Sequence, residues 1–335
     1  MITETKIIRT QTLDPWWNLA VEEYLLNGVR EGECILYLWQ NQNTVVIGKN
    51  QNPWAECRTE LLEKEGGKLA RRLSGGGAVF HDTGNLNFTF IVDRKEYDLS
   101  RQVGVILSAV KRLGVPGEMT GRNDLVADGR KFSGNAFCFR KNGAYHHGTV
   151  LISADFDKLS KYLQVPTDKM VSKGIQSVRS RVVNLQEFNP GISIDLMAGA
   201  LEEAFREAYG KESVYLRDTG SMDQKVLKEL CDKYSSWEWR YGEAPKFDME
   251  LNTRFAWGGI TVGLKLESGR VAQAAVYSDA LDEEFVGSLP ELLQGCILRS
   301  GALADRVRSI RPLNEDQGTM IEDIAGWLES KELSW

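Results

Sequence analysis

The run RRLSGGGAVFHDTGN (71–85) sets two guanidinium groups, Arg71 and Arg72, just before three consecutive glycines, Gly75 to Gly77. A strand-forming segment comes next, with His81, Asp82 and Asn85 beside it. Arginine offers a rigid planar fork suited to a carboxylate or phosphate. Glycine lets backbone amides approach a ligand closely, at the highest ordering cost of any residue. Together they predict a local anion site walled by bare backbone. The common nucleotide loops are excluded: GxxxxGK[ST] is absent, and GxGxxG fails because Phe80 stands where the third glycine belongs. The glycines lead into Ala78-Val79-Phe80, a strand former rather than a helix start. For the glycines alone, a flexible connection between strands is the plainer reading.

A second stretch joins Gly121-Arg122-Asn123-Asp124 to Asp128-Gly129-Arg130-Lys131-Phe132-Ser133-Gly134. Strand alternation puts Lys131 and Ser133 on one face. A lysine there is a point charge able to bridge two anionic reactants, against the commoner alternative of a solvated surface lysine. In Tyr145-His146-His147-Gly148 the adjacent histidines must point to opposite faces of a strand, which makes them a poor chelating pair. One is expected to line a pocket and the other to pack. Residues 167–181 carry four basic residues against one acidic and read as a loop able to cover a triphosphate, or else as a solvated basic face. Cys138 has no base in register with it and reads as a buried, inert thiol.

The elements that must position these groups are set by periodicity. Helices are expected over PWWNLAVEEYLLNGV, RTELLEKEG, about 99–113, 194–209 and 222–233. Strands are expected at IIRT, on either side of a polar turn in ILYLWQNQNTVVIGKNQ, around Thr83-Gly84-Asn85, and through residues 121–153. Beyond SSWEWRYGEAPKF (235–247), alternating strands with a Ser-Gly turn precede two helical segments. This predicts an α+β fold with a large domain over 1–245 and a small α/β domain over 246–335. The 335 residues are 42% hydrophobic with a net charge of −6, which favours neither nucleic acid nor an anionic membrane as partner. Five scattered cysteines without a CxxC pair, and no leader-like or membrane-spanning run, point to reduced thiols in a cytoplasm.

Taken together, DPWWNLAVEEYLL, TVVIGKNQNPWAEC, ARRLSGGGAVFHDTGN, GRNDL, GRKFSGNA, HHGTVLIS and KGIQSVRSRVVNL resemble, in that order, the bacterial lipoate–protein ligases. SSWEWRYGEAPKF, FAWGGI and LQGC extend the resemblance through the C-terminal accessory domain. It implies a catalytic domain like those of biotin protein ligases, a mixed sheet flanked by helices. It also implies an ATP- and Mg2+-dependent reaction: lipoate becomes lipoyl-adenylate, and the lipoyl group passes to a lysine of an apo lipoyl domain. Acceptors of that kind are the acyltransferase subunits of 2-oxoacid dehydrogenases and the glycine-cleavage carrier protein.

Carried over by position, Arg72, Gly77, Ala78, Val79, Phe80 and Lys131 would bind ATP or the adenylate, with Lys131 catalytic. Arg72, Gly75, Gly76, His81, Lys131 and His147 would bind lipoate. Lys173, Gly174, Ser177, Val178 and Arg179 would form the adenylate loop, and Asp124 is the candidate for Mg2+. Two alternatives stand beside this reading: an octanoyl- or lipoyltransferase of the same superfamily, and a non-catalytic lipoate-binding protein.

Overall fold

Fourteen strands organise the chain in a computed structural model that describes every residue except 122, 165–180, 211, 217–218, 243–246, 332 and 334–335. The first seven are β1 (Glu4–Arg9), β2 (Glu33–Trp39), β3 (Thr44–Ile47), β4 (Lys68–Arg71), β5 (Val79–His81), β6 (Asn85–Asp93) and β7 (Gly117–Thr120). The rest are β8 (Asp124–Ala127), β9 (Arg130–Phe139), β10 (Gly143–Leu151), β11 (Ser213–Leu216), β12 (Met249–Phe255), β13 (Gly258–Glu267) and β14 (Arg270–Ser278). Eight of them form a mixed sheet in the order β11-β1-β2-β6-β10-β9-β8-β7, in which β1 runs parallel to β2 and β11 while the other pairs are antiparallel. A small sheet, β4-β3-β5, stands apart.

Alternation along β6 gives the large sheet two unlike faces. Leu86, Phe88, Phe90 and Val92 join Leu36 and Leu38 of β2 in a core with the helices Leu99–Arg112 and Ile194–Tyr209, through Val103, Ile106, Met197, Leu201 and Phe205. Asn85, Asn87 and Thr89 face the other way. There the sheet meets the helix Pro15–Gly28, which Asp14 caps by accepting from the amides of Trp16 and Trp17.

His146 is a polar residue on the apolar face. Its ring lies 5.4, 5.8 and 5.2 Å from those of Phe88, Phe90 and Phe137. Burial, and after it the nearby His147, pushes its pKa down to about 3.

The chain does not form a hairpin through residues 79–93. Phe80 pairs with Val45 of β3, whereas β6 pairs with β2 and β10, so the chain changes sheets between them. Asp82 Oδ1 accepts from the Gly84 amide (2.8 Å), and the amides of Ile152 and Ser153 both donate to the Gly84 carbonyl (3.0 Å each). A side chain at Gly84 would stand 2.2 Å from the Ser153 carbonyl oxygen, which closes that turn to other residues. Among the described residues, no helix is long and apolar enough to cross a membrane.

A second compact unit comprises Gly48–Asn52, Leu73–Gly77 and Tyr241–Trp335. Its antiparallel sheet β12-β13-β14 turns at Ser268 and Gly269, both with positive φ, and packs on the helices Glu283–Leu293, Ser300–Arg308 and Glu315–Glu329. Among the described residues, that makes three C-terminal helices where the sequence pattern predicts two. The short segments belong to it by hydrogen bonds: Gly76 N to Ala280 O (2.9 Å), Lys49 N to Ser74 O (2.9 Å) and Ser278 N to Asn50 O (2.9 Å). Gly75 is required there, since a Cβ would lie 2.2 Å from Ala280 O and 2.7 Å from Leu281 O; a Cβ on Gly77 would meet no atom within 4 Å.

Two stability measurements test this description. Gly75→Ala is expected to destabilise the protein by about 1–3 kcal/mol through overpacking against backbone, and Gly77→Ala to leave the urea midpoint essentially unchanged; equal effects would contradict the packing. For His146, an unfolded chain takes up a proton below the ordinary histidine pKa of about 6.5 while the folded one stays neutral down to about pH 3. Stability is therefore unaffected above that window and falls as pH drops through it, by roughly 1.4 kcal/mol per pH unit for one proton. His146→Gln should reduce the acid slope of unfolding free energy by about one proton's worth, and an unchanged slope would show that His146 protonates in the folded state.

Candidate functional site

The polar face of the large sheet gathers most of the chemistry. Cross-strand pairing sets Trp39, Asn87 and Thr149 in one row and Tyr37, Thr89 and His147 in the next. The Thr149 hydroxyl accepts from the Gly134 amide at 3.2 Å. Gly134 leaves the room that Lys131 fills: a Cβ there would stand 2.9 Å from the Lys131 ammonium nitrogen. The first row thus runs from the indole of Trp39 towards the Lys131 ammonium.

Lys131 is held twice. Its ammonium is paired with Asp124 Oδ1 at 2.7 Å and remains about one-third exposed. Its backbone donates to Arg181 O (2.7 Å) and accepts from Val183 N (2.9 Å) in a parallel bridge, so the segment ending the basic stretch is stitched to the lysine itself. A register shift between Leu125 and Val126 pairs Leu125 with Ser133 and Val126 with Lys131, which breaks strict alternation. Ser133 is fully buried beside Asn135 and does not share the environment of Lys131, contrary to the simple alternation argument.

The second row carries a hydrogen-bond chain with a defined direction. The Trp39 indole N–H donates to Thr89 Oγ1 (3.1 Å), so the Thr89 hydroxyl donates to Glu22 Oε1 (2.7 Å). The same carboxylate oxygen accepts from His147 Nδ1 (2.8 Å). His147 is thereby oriented on this face while His146 lies on the other, as their adjacency on a strand requires.

His81, on β5, is buried and takes the Asn41 side-chain amide on Nδ1 (3.1 Å). Burial first, then the charge of Arg72 and the nearby His147, push its pKa down to about 3. The neutral ring then carries its hydrogen on Nε2, which has no hydrogen-bond partner among the described residues. Asn85 Oδ1 and Asn87 Nδ2 share that condition, although Asn85 Nδ2 donates to Asn87 Oδ1 at 2.9 Å. Each buried polar atom left unmatched costs about 1–3 kcal/mol, so this group is suited to a ligand that supplies the missing partners.

The two arginines divide their work. Arg71 donates through Nε to Trp239 O (2.9 Å) and through Nη2 to Arg240 O (2.8 Å), and the Trp239 indole donates back to Arg71 O (2.8 Å). Its fork is a clamp on the short helix Trp237–Tyr241. Arg72 donates from its backbone to Ile47 O (3.0 Å) and from Nη1 to Val46 O (3.2 Å), with its charge beside His81. Phe80 is buried against Tyr162, the rings 5.5 Å apart.

Of the expected site residues, Arg72, Phe80, His81, Lys131, His147 and Asp124 thus have places in the first unit. Ala78 leads into β5, which Val79 opens next to Phe80, and Gly75, Gly76 and Gly77 belong to the second unit. Lys173, Gly174, Ser177, Val178 and Arg179 lie outside the described residues. Asp124 offers one carboxylate, and among the described residues no three His, Cys, Asp or Glu side chains group into a metal site. That donor set fits an Mg2+ ion held mainly by phosphate and water oxygens. Cys138 is fully buried in β9, as expected of an inert thiol.

Glu22, Trp39, Asn41, Asn87 and Thr89 were not singled out from the sequence. Glu22 could have been, because it falls with Asn18, Leu19, Leu25 and Leu26 on the buried stripe of its helix, where a lone carboxylate needs a partner.

Comparison with known proteins identifies the family to which this fold belongs. Residues 14–206 match the family described as lipoyl protein ligase A/B catalytic domain, and residues 244–328 match the bacterial lipoate protein ligase C-terminus. The fold is similar to Plasmodium falciparum LipL1, solved in complex with lipoate: 26% identity, 98% of this chain and 100% of that one, TM-score 0.85. It is also similar to a bipartite lipoate protein ligase of Thermoplasma acidophilum studied with its E2 lipoyl domain (28% identity, 74% and 100% coverage, TM-score 0.65). A lipoate-protein ligase A bound with ATP matches at 27% identity, 72% and 99% coverage and a TM-score of 0.61. With a catalytic match over more than half its length and an accessory match beyond it, the chain belongs to the lipoate–protein ligase family.

Proposed function

We propose that this protein is an ATP-dependent lipoate–protein ligase that forms lipoyl-adenylate and passes the lipoyl group to a lysine of an apo lipoyl domain. The observation that carries the reading is the Lys131 ammonium, fixed through its backbone to residues 181–183 yet partly exposed and paired only 2.7 Å from Asp124. In the first step a lipoate carboxylate oxygen attacks the α-phosphorus of ATP, and the bond to the β-phosphate breaks to release pyrophosphate. Two anions must approach each other, and a lysine touching both lowers that barrier by placement and by charge. Arg72, with the backbone of Gly77 to Phe80, is assigned to the phosphate and nucleotide.

Lipoate is assigned to the polar face between Trp39 and Lys131. There the unmatched atoms of His81, Asn85 and Asn87 accept a ligand, and Glu22 orients His147. Mg2+ would neutralise phosphate charge, with Asp124 as its protein ligand. In the second step the acceptor ε-amine attacks the lipoyl carbonyl, the carbon–oxygen bond to the phosphate breaks, AMP leaves, and the amine loses a proton. Structures of relatives bound with lipoate and with ATP support both substrates, and the relative studied with an E2 lipoyl domain supports the acceptor class. Within that class, acyltransferase subunits of 2-oxoacid dehydrogenases and the glycine-cleavage carrier are the proposed partners, in the cytoplasm.

A cysteine-dependent acyltransferase is disfavoured by the burial of Cys138. The deciding experiment is mass spectrometry of an apo lipoyl domain incubated with enzyme, ATP and lipoate, alongside pyrophosphate release. A lipoyl mass increment that requires ATP is expected; octanoyl transfer from a carrier without ATP would replace the ligase reading. Lys131→Ala is expected to lower lipoate-dependent pyrophosphate release at least 100-fold, on the scale of a lost charge at a reacting centre, while Cys138→Ser stays within about twofold of wild type, as suits a thiol outside the reaction.

A further inference from the structure

We propose that His146, which touches no reacting group, is a positioning residue that sets the Lys131–Asp124 ion pair through Asn135 and Asn123. This rests on the ligase reading for its kinetic consequence only. Asn123 and Asn135 come from the two motifs GRNDL and GRKFSGNA and lock onto each other. Asn135 donates from its backbone (3.0 Å) and from Nδ2 (2.9 Å) to Asn123 O, while Asn123 Nδ2 donates to Asn135 O at 2.9 Å. The next residue after Asn123 is Asp124, which holds the Lys131 ammonium; the residue before Asn135 is Gly134, over which that ammonium lies. Asp124 and Gly134 are partners in strand register. Any rotation of the Asn123–Asn135 pair therefore moves both surfaces against which Lys131 rests.

His146 fixes that pair from the core side. Asn135 Nδ2 already donates to Asn123 O, so its Oδ1 must accept, and it does so from His146 Nε2 at 2.8 Å. The neutral ring then has Nδ1 as acceptor, and the atom placed 3.2 Å from it is the Gln102 side-chain oxygen, also an acceptor. The Gln102 amide nitrogen has no hydrogen-bond partner among the described residues, and exchanging the amide oxygen and nitrogen lets that nitrogen donate to His146 Nδ1. The hydrogen-bond line Gln102–His146–Asn135–Asn123 thus runs from the helix Leu99–Arg112 through the core to the lysine. A leucine or phenylalanine would fill the space among Phe88, Phe90 and Phe137 without the desolvation that histidine bears there. What histidine adds is a directed donor to Asn135.

The test compares His146→Leu, which fills the core without a donor, with His146→Gln, which restores one. Lipoate-dependent pyrophosphate release by the full-length protein is measured together with amide hydrogen exchange over residues 123–135. For His146→Leu we expect a 10- to 100-fold lower kcat, the scale of an ångström-level misplacement, KM for lipoate and ATP within about twofold, and faster exchange of the Asn135 amide. His146→Gln should recover most of the loss in both readouts. The double variant His146→Leu/Asn135→Ala should be no slower than the worse single variant, since both act along one line. Wild-type kcat in His146→Leu, equal impairment of Leu and Gln variants, or unchanged exchange would each overturn the proposal. If wild type releases no pyrophosphate with lipoate, the ligase reading fails, and the exchange comparison alone still decides whether His146 holds the hairpin.

Discussion

The opposite orientation of successive residues on β10 and β6 is the constraint on which the rest of the molecule depends. It sends His146 into a cage of phenylalanines and His147 towards a buried carboxylate, although the two are bonded neighbours. The same rule splits β6 into Leu86, Phe88, Phe90 and Val92 on one side and Asn85, Asn87 and Thr89 on the other. A one-residue slip in either strand would exchange the two sets, burying asparagines among leucines and setting phenylalanines in the polar cluster. The apolar side therefore secures the register, and the register secures the site. Stability and function are coupled here through geometry rather than through any one contact.

The arginine–glycine run shows how one stretch can answer to several demands. Arg71 and Arg72 are adjacent and look equivalent as anion ligands, yet the Arg71 fork is committed to two carbonyl oxygens of the helix Trp237–Tyr241. Arg72 is the one whose charge reaches His81. Gly75 is small because backbone at Ala280 and Leu281 occupies the space a side chain would need, whereas a Cβ on Gly77 would meet no atom within 4 Å. The residues alone suggest that the triplet brings bare backbone close to a ligand. For Gly75, however, the approaching atoms belong to the protein itself.

Much of this was legible in the residues. Helix and strand positions track periodicity, and the opposed histidines come from the strand rule alone. The inert character of Cys138 is implied by the lack of a base in register. Two features were not legible, for physical reasons. The sheet to which each strand belongs depends on long-range pairing, so Val79–His81 and Asn85–Asp93 look like a hairpin in sequence while pairing with different strands. The Glu22–His147 contact joins residues 125 positions apart and leaves only an unexplained charge on a buried helical stripe. The bulge at Leu125 and Val126 likewise defeats alternation locally, separating Ser133 from Lys131.

Lys131 brings these threads together because it needs both freedom and placement. A lysine side chain has four rotatable carbons and about 2 kcal/mol of rotamer entropy, so an isolated one would serve poorly as a fixed bridge between two anions. Here Asp124 restrains the ammonium, Gly134 gives it space, and residues 181–183 pin its backbone. None of these contacts saturates the three donors of an ammonium group. The lysine is thus preorganised without being neutralised in a closed cage, and its remaining hydrogens can be exchanged from water to carboxylate and phosphate oxygens as charge develops. Arginine in its place would trade that adaptability for a planar fork, which matches one carboxylate or one phosphate better than the changing geometry between two reacting groups.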